Sequence, residues 1–286
     1  MKVVVTGAGG MLGSDVVRAA AAAGHEVAGL PHAELDITDE RAVTARLEAE
    51  RPGGVVNCAA WTDVDGAEED PGGAMRVNAA GADVLAAVSE RLGASVVYPS
   101  TDYVFDGAKR DPYVESDPTG PASAYGESKL GGEQATAHRN PRHFVVRSSW
   151  LFGLHGRNFV DTMLRLGRER GELRVVGDQV GCPTFTGHLA RALVELVEGE
   201  AYGVHHVAGA GQCSWFELAV EALRGADVDC RVEAVTTEEF PRPAPRPAYS
   251  VLATERADGP SPLPHWSDGV AAYLAEREAI AAAPRT

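Results

Sequence analysis

The stretch "YGESK" sets Tyr125 and Lys129 four residues apart. In a helix that spacing puts a phenol and an ammonium on one face, about one turn apart. An ammonium near a phenol favours phenolate and lowers its pKa from about 10 toward neutrality, which suits a side chain that gives and recovers a proton. Upstream, "PSTDYVFDG" (Pro99–Gly107) ends an apolar run in Ser100, Thr101, Asp102 and Tyr103. Open α/β sheets place their ligands at the carboxyl ends of strands, so this switch from apolar to polar marks a strand leaving the core at a site. Nearer the N-terminus, "TGAGGMLG" arrays Gly7, Gly10 and Gly13 as GxxGxxG, with Met11 and Leu12 opening a helical pattern and expected to meet the cofactor with the glycines. Glycines there allow a tight turn and let a pyrophosphate reach the amides and positive end of the helix. A bland tight turn is the alternative, and the strand–loop–helix context favours dinucleotide binding.

The elements that must position these residues are legible as alternation. "KVVVT", "EVAGL", "GVVNCAA", "SVVYPS" and "FVVRSSWLFG" are β-branched runs separated by Ala/Leu-rich helical stretches, the last of them from about Ala124 to His138. This predicts an α/β fold: a doubly wound parallel sheet of Rossmann type with helices on both faces. The runs do not alternate polar and apolar residues because both faces are buried. Residues 1–150 read as a dinucleotide-binding domain, rejoined by part of 178–208, and 151–286 read mostly as a smaller α/β substrate-binding lobe. Within that lobe the proline-rich "FPRPAPRP" (Phe240–Pro247) is a loop that can close over a ligand, since proline removes backbone donors. The Ala-rich patches at 19–23 and 281–283 read as helix filler and a frayed tail. His205 and His206 are adjacent in a strand-like run and point to opposite faces, which argues against a metal site.

Composition narrows the partners. With 26 Lys and Arg against 41 Asp and Glu, the 286-residue chain carries a net charge of -15, which repels nucleic acid and anionic membranes. Cys58, Cys182, Cys213 and Cys230 have neither zinc-ligand spacing nor a disulfide framework. The N-terminal apolar stretch is too short for a signal peptide or a membrane span, so a cytoplasmic soluble protein is expected.

The second strand ends in Leu30, Pro31 and His32, where an NAD-specific site presents an acid to the ribose. That leans toward NADPH. NADH stays open, because no arginine follows at once and "ELDITD" supplies Asp36 a few residues on. Asp36 and Ile37 either flank the adenine or serve as a solvated loop acid and a core isoleucine.

Together these motifs resemble the extended short-chain dehydrogenase/reductases, and within them the dTDP-4-dehydrorhamnose reductase family. The residues that carry the resemblance are "VTGAGGMLG", "ELDITD", "VVNCAAWTDVDGAEED", "VNAAG", "STDYVFDG", "YGESKLGGE", "RSSWLFG", "DQVGCPTFTGHLA" and "RPAYSVL". The resemblance implies that Thr101, Tyr125 and Lys129 are catalytic, with Tyr125 the proton donor and Lys129 tuning it and holding the nicotinamide ribose. It implies that Cys58, Ala59, Ala60 and Asn78 line the cofactor, though Asn78 reads equally as a polar link between helix and strand. Asp102, Tyr103 and Trp150 match positions used around the sugar, and Arg246 is a candidate for the nucleotide diphosphate; Ser100 reads as structural. The implied partner is a dTDP-4-keto-6-deoxyhexose, reduced at C4 with dTDP-L-rhamnose as product, in a chain that can form a homodimer.

Trp61 and Ala253 depart from the family's usual tyrosine and acid. Some relatives bind magnesium at a subunit contact, and only Asp15 matches that set here, so no metal is expected. Two other readings stay open: a 4-ketoreductase for another nucleotide deoxysugar in secondary metabolism, and a non-catalytic NADP-binding regulatory subunit resembling the methionine adenosyltransferase β subunit.

Overall fold

The computed structural model describes residues 1–282. The β-branched runs form β1 (Lys2–Thr6), β2 (Glu26–Leu30), β3 (Gly54–Asn57), β4 (Ser95–Thr101) and β5 (His143–Ser148). With the strand Gly203–His206 they make one six-stranded sheet in the order β2-β1-β3-β4-β5-(203–206), every neighbouring pair parallel. The chain leaves β1 for β2 on one side and returns to β3 on the other. That reversal opens a crevice beyond the carboxyl ends of β1 and β3.

Both faces are covered. On one, Val3, Val5, Val16 and Phe144 pack with Leu189 and Leu193 of the helix Thr186–Glu198. On the other, Val4, Leu35, Val43, Val55 and Leu85 form a second layer. The helices between strands are α1 (Met11–Ala22), α2 (Glu40–Glu50), α3 (Val64–Glu69), α4 (Pro71–Met75), α5 (Gly81–Arg91) and α6 (Ala124–Arg139). Between α4 and α5, Arg76–Ala80 is a π turn. Such a turn often marks a functional position, and here it carries Asn78.

Beyond β5, a separate core of Phe152, Leu164, Leu218, Ala222 and Tyr273 joins the helices Phe159–Arg170 and Trp215–Gly225 to the paired strands Glu172–Val176 and Arg231–Val235. The helix Trp266–Ala282 closes that core, although its end reads from sequence as a frayed tail. Val270, Tyr273 and Leu274 supply the buried stripe, at helical spacing, that orders it. Residue 283 of the Ala-rich patch lies outside the described residues.

A buried ion pair ties α6 to the sheet. Glu133, on α6, accepts from Arg147 of β5 at 3.0 Å (Nε) and 2.7 Å (Nη2), and from the Ser100 hydroxyl of β4 at 2.5 Å. Glu133 and Arg147 are each 5% exposed. Glu133→Ala would leave the guanidinium buried without its partner and should cost about 3–5 kcal/mol of stability, read from urea unfolding midpoints. A cost under about 1 kcal/mol would show that the pair does not anchor α6.

Candidate active site

The amino end of α6 is fixed from two directions. Ser123 accepts from the Gly126 amide at 3.1 Å, and Glu68 of α3 accepts from the Ala124 amide at 2.8 Å. Tyr125 therefore leaves the first turn in a set direction. Gly126 is required beside it, because a Cβ there would lie 2.3 Å from the Tyr103 carbonyl oxygen. The helix can thus press against the Asp102–Val104 turn that ends β4. The Tyr103 and Tyr125 rings meet edge to face with centroids 5.6 Å apart. The Thr101 hydroxyl accepts from the Tyr103 amide at 3.2 Å and donates to Asp102 Oδ1 at 3.1 Å. Four of the expected residues, Thr101, Asp102, Tyr103 and Tyr125, thus form one cluster at the carboxyl end of the sheet.

Burial dominates their electrostatics. It pushes Asp102, 1% exposed, up to about 6 against the pull of nearby hydroxyls. The Ser250 hydroxyl lies near that carboxylate without a bond of good geometry, and Oδ2 is left with no partner. Tyr125 is raised above the phenol range by burial and then by the Asp102 charge, with Thr101 working the other way. Lys129 is lowered to about 8 by burial, offset by the negative charge of Glu133. Its Nζ donates to the Pro99 carbonyl at 2.7 Å and sits 4.2 Å from the centre of the Tyr98 ring. Lys129 is thus engaged with the strand, and the upward direction at Tyr125 is set by burial and by Asp102.

The crevice at the switch point has the features a dinucleotide needs. Gly7 has φ 61°, and a Cβ on it would lie 2.6 Å from the Cys58 carbonyl and the Ala59 amide, so the loop and the end of β3 can approach only as built. Gly10 is the N-cap of α1 and offers no side chain, so the first amides of that helix, through Gly13, have no side-chain cap. At the end of β3 the Asn57 amide nitrogen is buried with no partner, while its oxygen accepts from Thr6 at 2.7 Å. These groups fit the pyrophosphate end of such a cofactor. Leu12 is drawn into the core, and Met11 faces Gly153. Cys58 lies beside Ala59 and Ala60 at this crevice, its thiol pushed up to about 12 by burial.

Other expected residues are committed elsewhere. Asp36 accepts from the Thr38 amide and hydroxyl at 2.9 and 2.8 Å, and Ile37 is buried in the core. Asn78 accepts from the Trp61 amide at 2.8 Å and donates to Ser128 Oγ at 2.9 Å, linking the loop after β3 to α6. Asp15 is buried and bonded to Thr186 and Arg18. His205 bonds to the Ala201 carbonyl, whereas His206 bonds to that of Ala253. Among the described residues no group of three or more His, Cys, Asp or Glu could hold a metal ion.

On the lobe side, Trp150 has φ 50°, an uncommon conformation for a bulky residue. Its ring lies flat on Trp215 at 3.6 Å, and Trp215 is held by its indole N–H on Gln179 at 3.1 Å. Trp215 escapes sequence reasoning, although its position directly after the N-cap Ser214, inside the capping box closed by Glu217, fixes where it points. Arg246 does not stand free: it pairs with Asp65 of α3.

By fold and site together, the chain falls among the Rossmann-type oxidoreductases. A family model described as "RmlD substrate binding domain" matches residues 1–279, and the chain belongs to the dTDP-4-dehydrorhamnose reductase family. It is 45% identical over 285 residues to a dTDP-4-dehydrorhamnose reductase of Mycolicibacterium smegmatis, covering 96% of this chain and 86% of the relative. It is also 45% identical to a probable dTDP-4,6-dihydroxy-2-methyloxan-3-one 4-ketoreductase of Streptomyces antibioticus, covering 93% and 92%. Its fold superposes with a TM-score of 0.94 on a dTDP-4-dehydrorhamnose reductase of Bacillus anthracis solved in complex with NADP, 39% identical and covering 96% and 99%. The cofactor named in that complex is the one expected from the end of β2.

Asp102 holds its proton up to about 6 in the folded protein, against about 4 for a free aspartate. Its stabilising contribution is therefore complete below about pH 4 and is lost as pH rises through about 6. Between those limits Asp102→Asn should gain on the order of 2–3 kcal/mol relative to wild type, measured by urea unfolding across the range. A difference flat in pH would show that Asp102 does not titrate there.

Proposed function

We propose that the chain reduces the C4 ketone of a dTDP-6-deoxy-4-ketohexose, with dTDP-4-dehydro-L-rhamnose going to dTDP-L-rhamnose as the leading reaction. The observation that carries this is the convergence of Thr101, Asp102, Tyr103 and Tyr125 beside the glycine-lined crevice. NADPH supplies the hydride when bound. Tyr125, kept protonated at neutral pH by burial and by Asp102, gives its proton to the oxygen at C4 as negative charge builds there. Thr101 turns its hydroxyl from Asp102 to that oxygen, and Asp102, Tyr103 and Trp150 hold the sugar. Lys129, anchored on the Pro99 carbonyl, would hold the nicotinamide ribose of bound NADPH.

In this reading residues 1–150 with part of 178–208 hold the cofactor, and the remainder of 151–286 holds the sugar nucleotide. No helix among the described residues is long and apolar enough to cross a membrane. The 4-ketoreductase of Streptomyces antibioticus supports a second reading, the same chemistry on another deoxysugar. The regulatory-subunit reading is disfavoured by the assembled phenol and hydroxyl, which a binding protein does not need.

NADPH oxidation with a panel of dTDP-4-ketosugars, together with the C4 configuration of each product, separates the two sugars. Turnover with none of them would overturn both. Tyr125→Phe should lower kcat by about 10²–10⁴-fold while leaving NADPH affinity within about twofold. Turnover like wild type would remove Tyr125 from the proton transfer.

A further inference from the structure

We propose that Asp65 is a positioning residue that holds Arg242 and Arg246 of the proline-rich strap as a preformed clamp for the diphosphate of the nucleotide sugar. The inference rests on the substrate class proposed above.

Its basis is the wiring of one carboxylate. Asp65 Oδ1 accepts from Arg246 Nη1 at 2.6 Å and from the Ala244 amide at 3.1 Å. Oδ2 accepts from Arg246 Nη2 at 3.0 Å and from Arg242 at 2.6 Å (Nη2) and 3.1 Å (Nε). The two guanidiniums hold the Asp65 carboxyl well below the usual carboxylate range. One carboxylate against two guanidiniums leaves a net positive charge at this point. Among the described residues, Arg246 Nε and Arg242 Nη1 make no hydrogen bond to protein, so each fork keeps a donor for an outside anion.

The neighbouring acids do other work. Asp63 caps α3 through the Gly66 amide, Asp70 caps α4 through the Gly73 amide, and Glu68 accepts from the Ala124 amide. Asp65 alone of these four reaches across to the strap. The strap has no regular structure of its own, and Pro247 packs against Gly107, just past the turn that carries Asp102 and Tyr103. The Tyr103 phenol feels the charges of both Arg246 and Asp65. The clamp therefore stands at the rim of the cluster that contains Tyr125.

Arginine suits this task because its planar fork matches phosphate oxygens, and an arginine held in place loses less freedom on binding than one on a loose loop. Asp65 cannot itself attract a diphosphate. It sets the direction and spacing of the groups that do.

The test uses Asp65→Asn and Arg246→Lys in the full-length protein. Thymidine diphosphate and NADPH binding are measured by calorimetry, and turnover is measured with the dTDP-ketosugar. In both variants the thymidine diphosphate Kd and the sugar KM should rise together by about tenfold or more, while kcat and NADPH affinity stay within about threefold. Parallel loss of Tm, NADPH affinity and kcat would reduce Asp65 to a structural strut and overturn the proposal. Unchanged or tighter thymidine diphosphate binding in Asp65→Asn would overturn it too, by showing that the carboxylate competes with the ligand. If Asp65→Asn does not fold, Arg246→Lys decides alone by the same criteria. Wild-type binding of thymidine diphosphate that is weakened in the variants, without turnover of any ketosugar, would sink the proposed reaction and leave the clamp standing.

Discussion

The bond between Glu133 and Arg147 sets the register on which the rest of the site depends. A buried ion pair adds little net stability because both charges must be stripped of water. What it supplies here is a single allowed placement of α6 over the sheet. Three consecutive residues of β4 then face three tasks: Pro99 gives its carbonyl to Lys129, Ser100 gives its hydroxyl to Glu133, and Thr101 meets Asp102. Because Lys129 and Glu133 are one helical turn apart, the helix slides along the sheet only by breaking the Pro99, Ser100 and Arg147 bonds together.

Within that frame the ionisation of Tyr125 is set by what surrounds the phenol. Asp102, with one oxygen unpartnered, lies near enough to Tyr125 for its charge to oppose formation of phenolate. A phenol held this way keeps its proton until negative charge develops next to it. The lysine, four residues on, is turned to the strand carbonyl. In this arrangement spacing in the helix brings two groups to one face without pairing them.

Much of this was legible in the sequence, for physical reasons. The four inner strands announce themselves because strands buried on both faces must be continuous apolar runs, and the glycine loop announces itself because only glycine tolerates both its backbone angle and its approach to Cys58. The strand-end cluster follows from polarity changing within four residues. Partnerships across the fold were not legible. Nothing in "WTDVDGAEED" distinguishes Asp65 from the acids that cap helices, and nothing in "SWFELA" says that Trp215 lies under Trp150. The π turn at Arg76–Ala80 is hidden for a similar reason, since one extra residue in a turn leaves the apolar pattern almost unchanged. The last helix was readable from Val270, Tyr273 and Leu274, but the alanines after them obscured it.

The lobe beyond β5 has its own apolar core, distinct from the two layers that flank the sheet. Substitutions in one core therefore need not propagate strain into the other, and lineages can remodel the wall that carries Trp150 and Trp215 while Thr101, Tyr125 and Lys129 stay in place. The cores on the two sides of β5 can thus be remodelled independently. A rhamnose-type reductase and a ketoreductase for a different sugar can then stand equally far in sequence from the same chain, as the two relatives at 45% identity do.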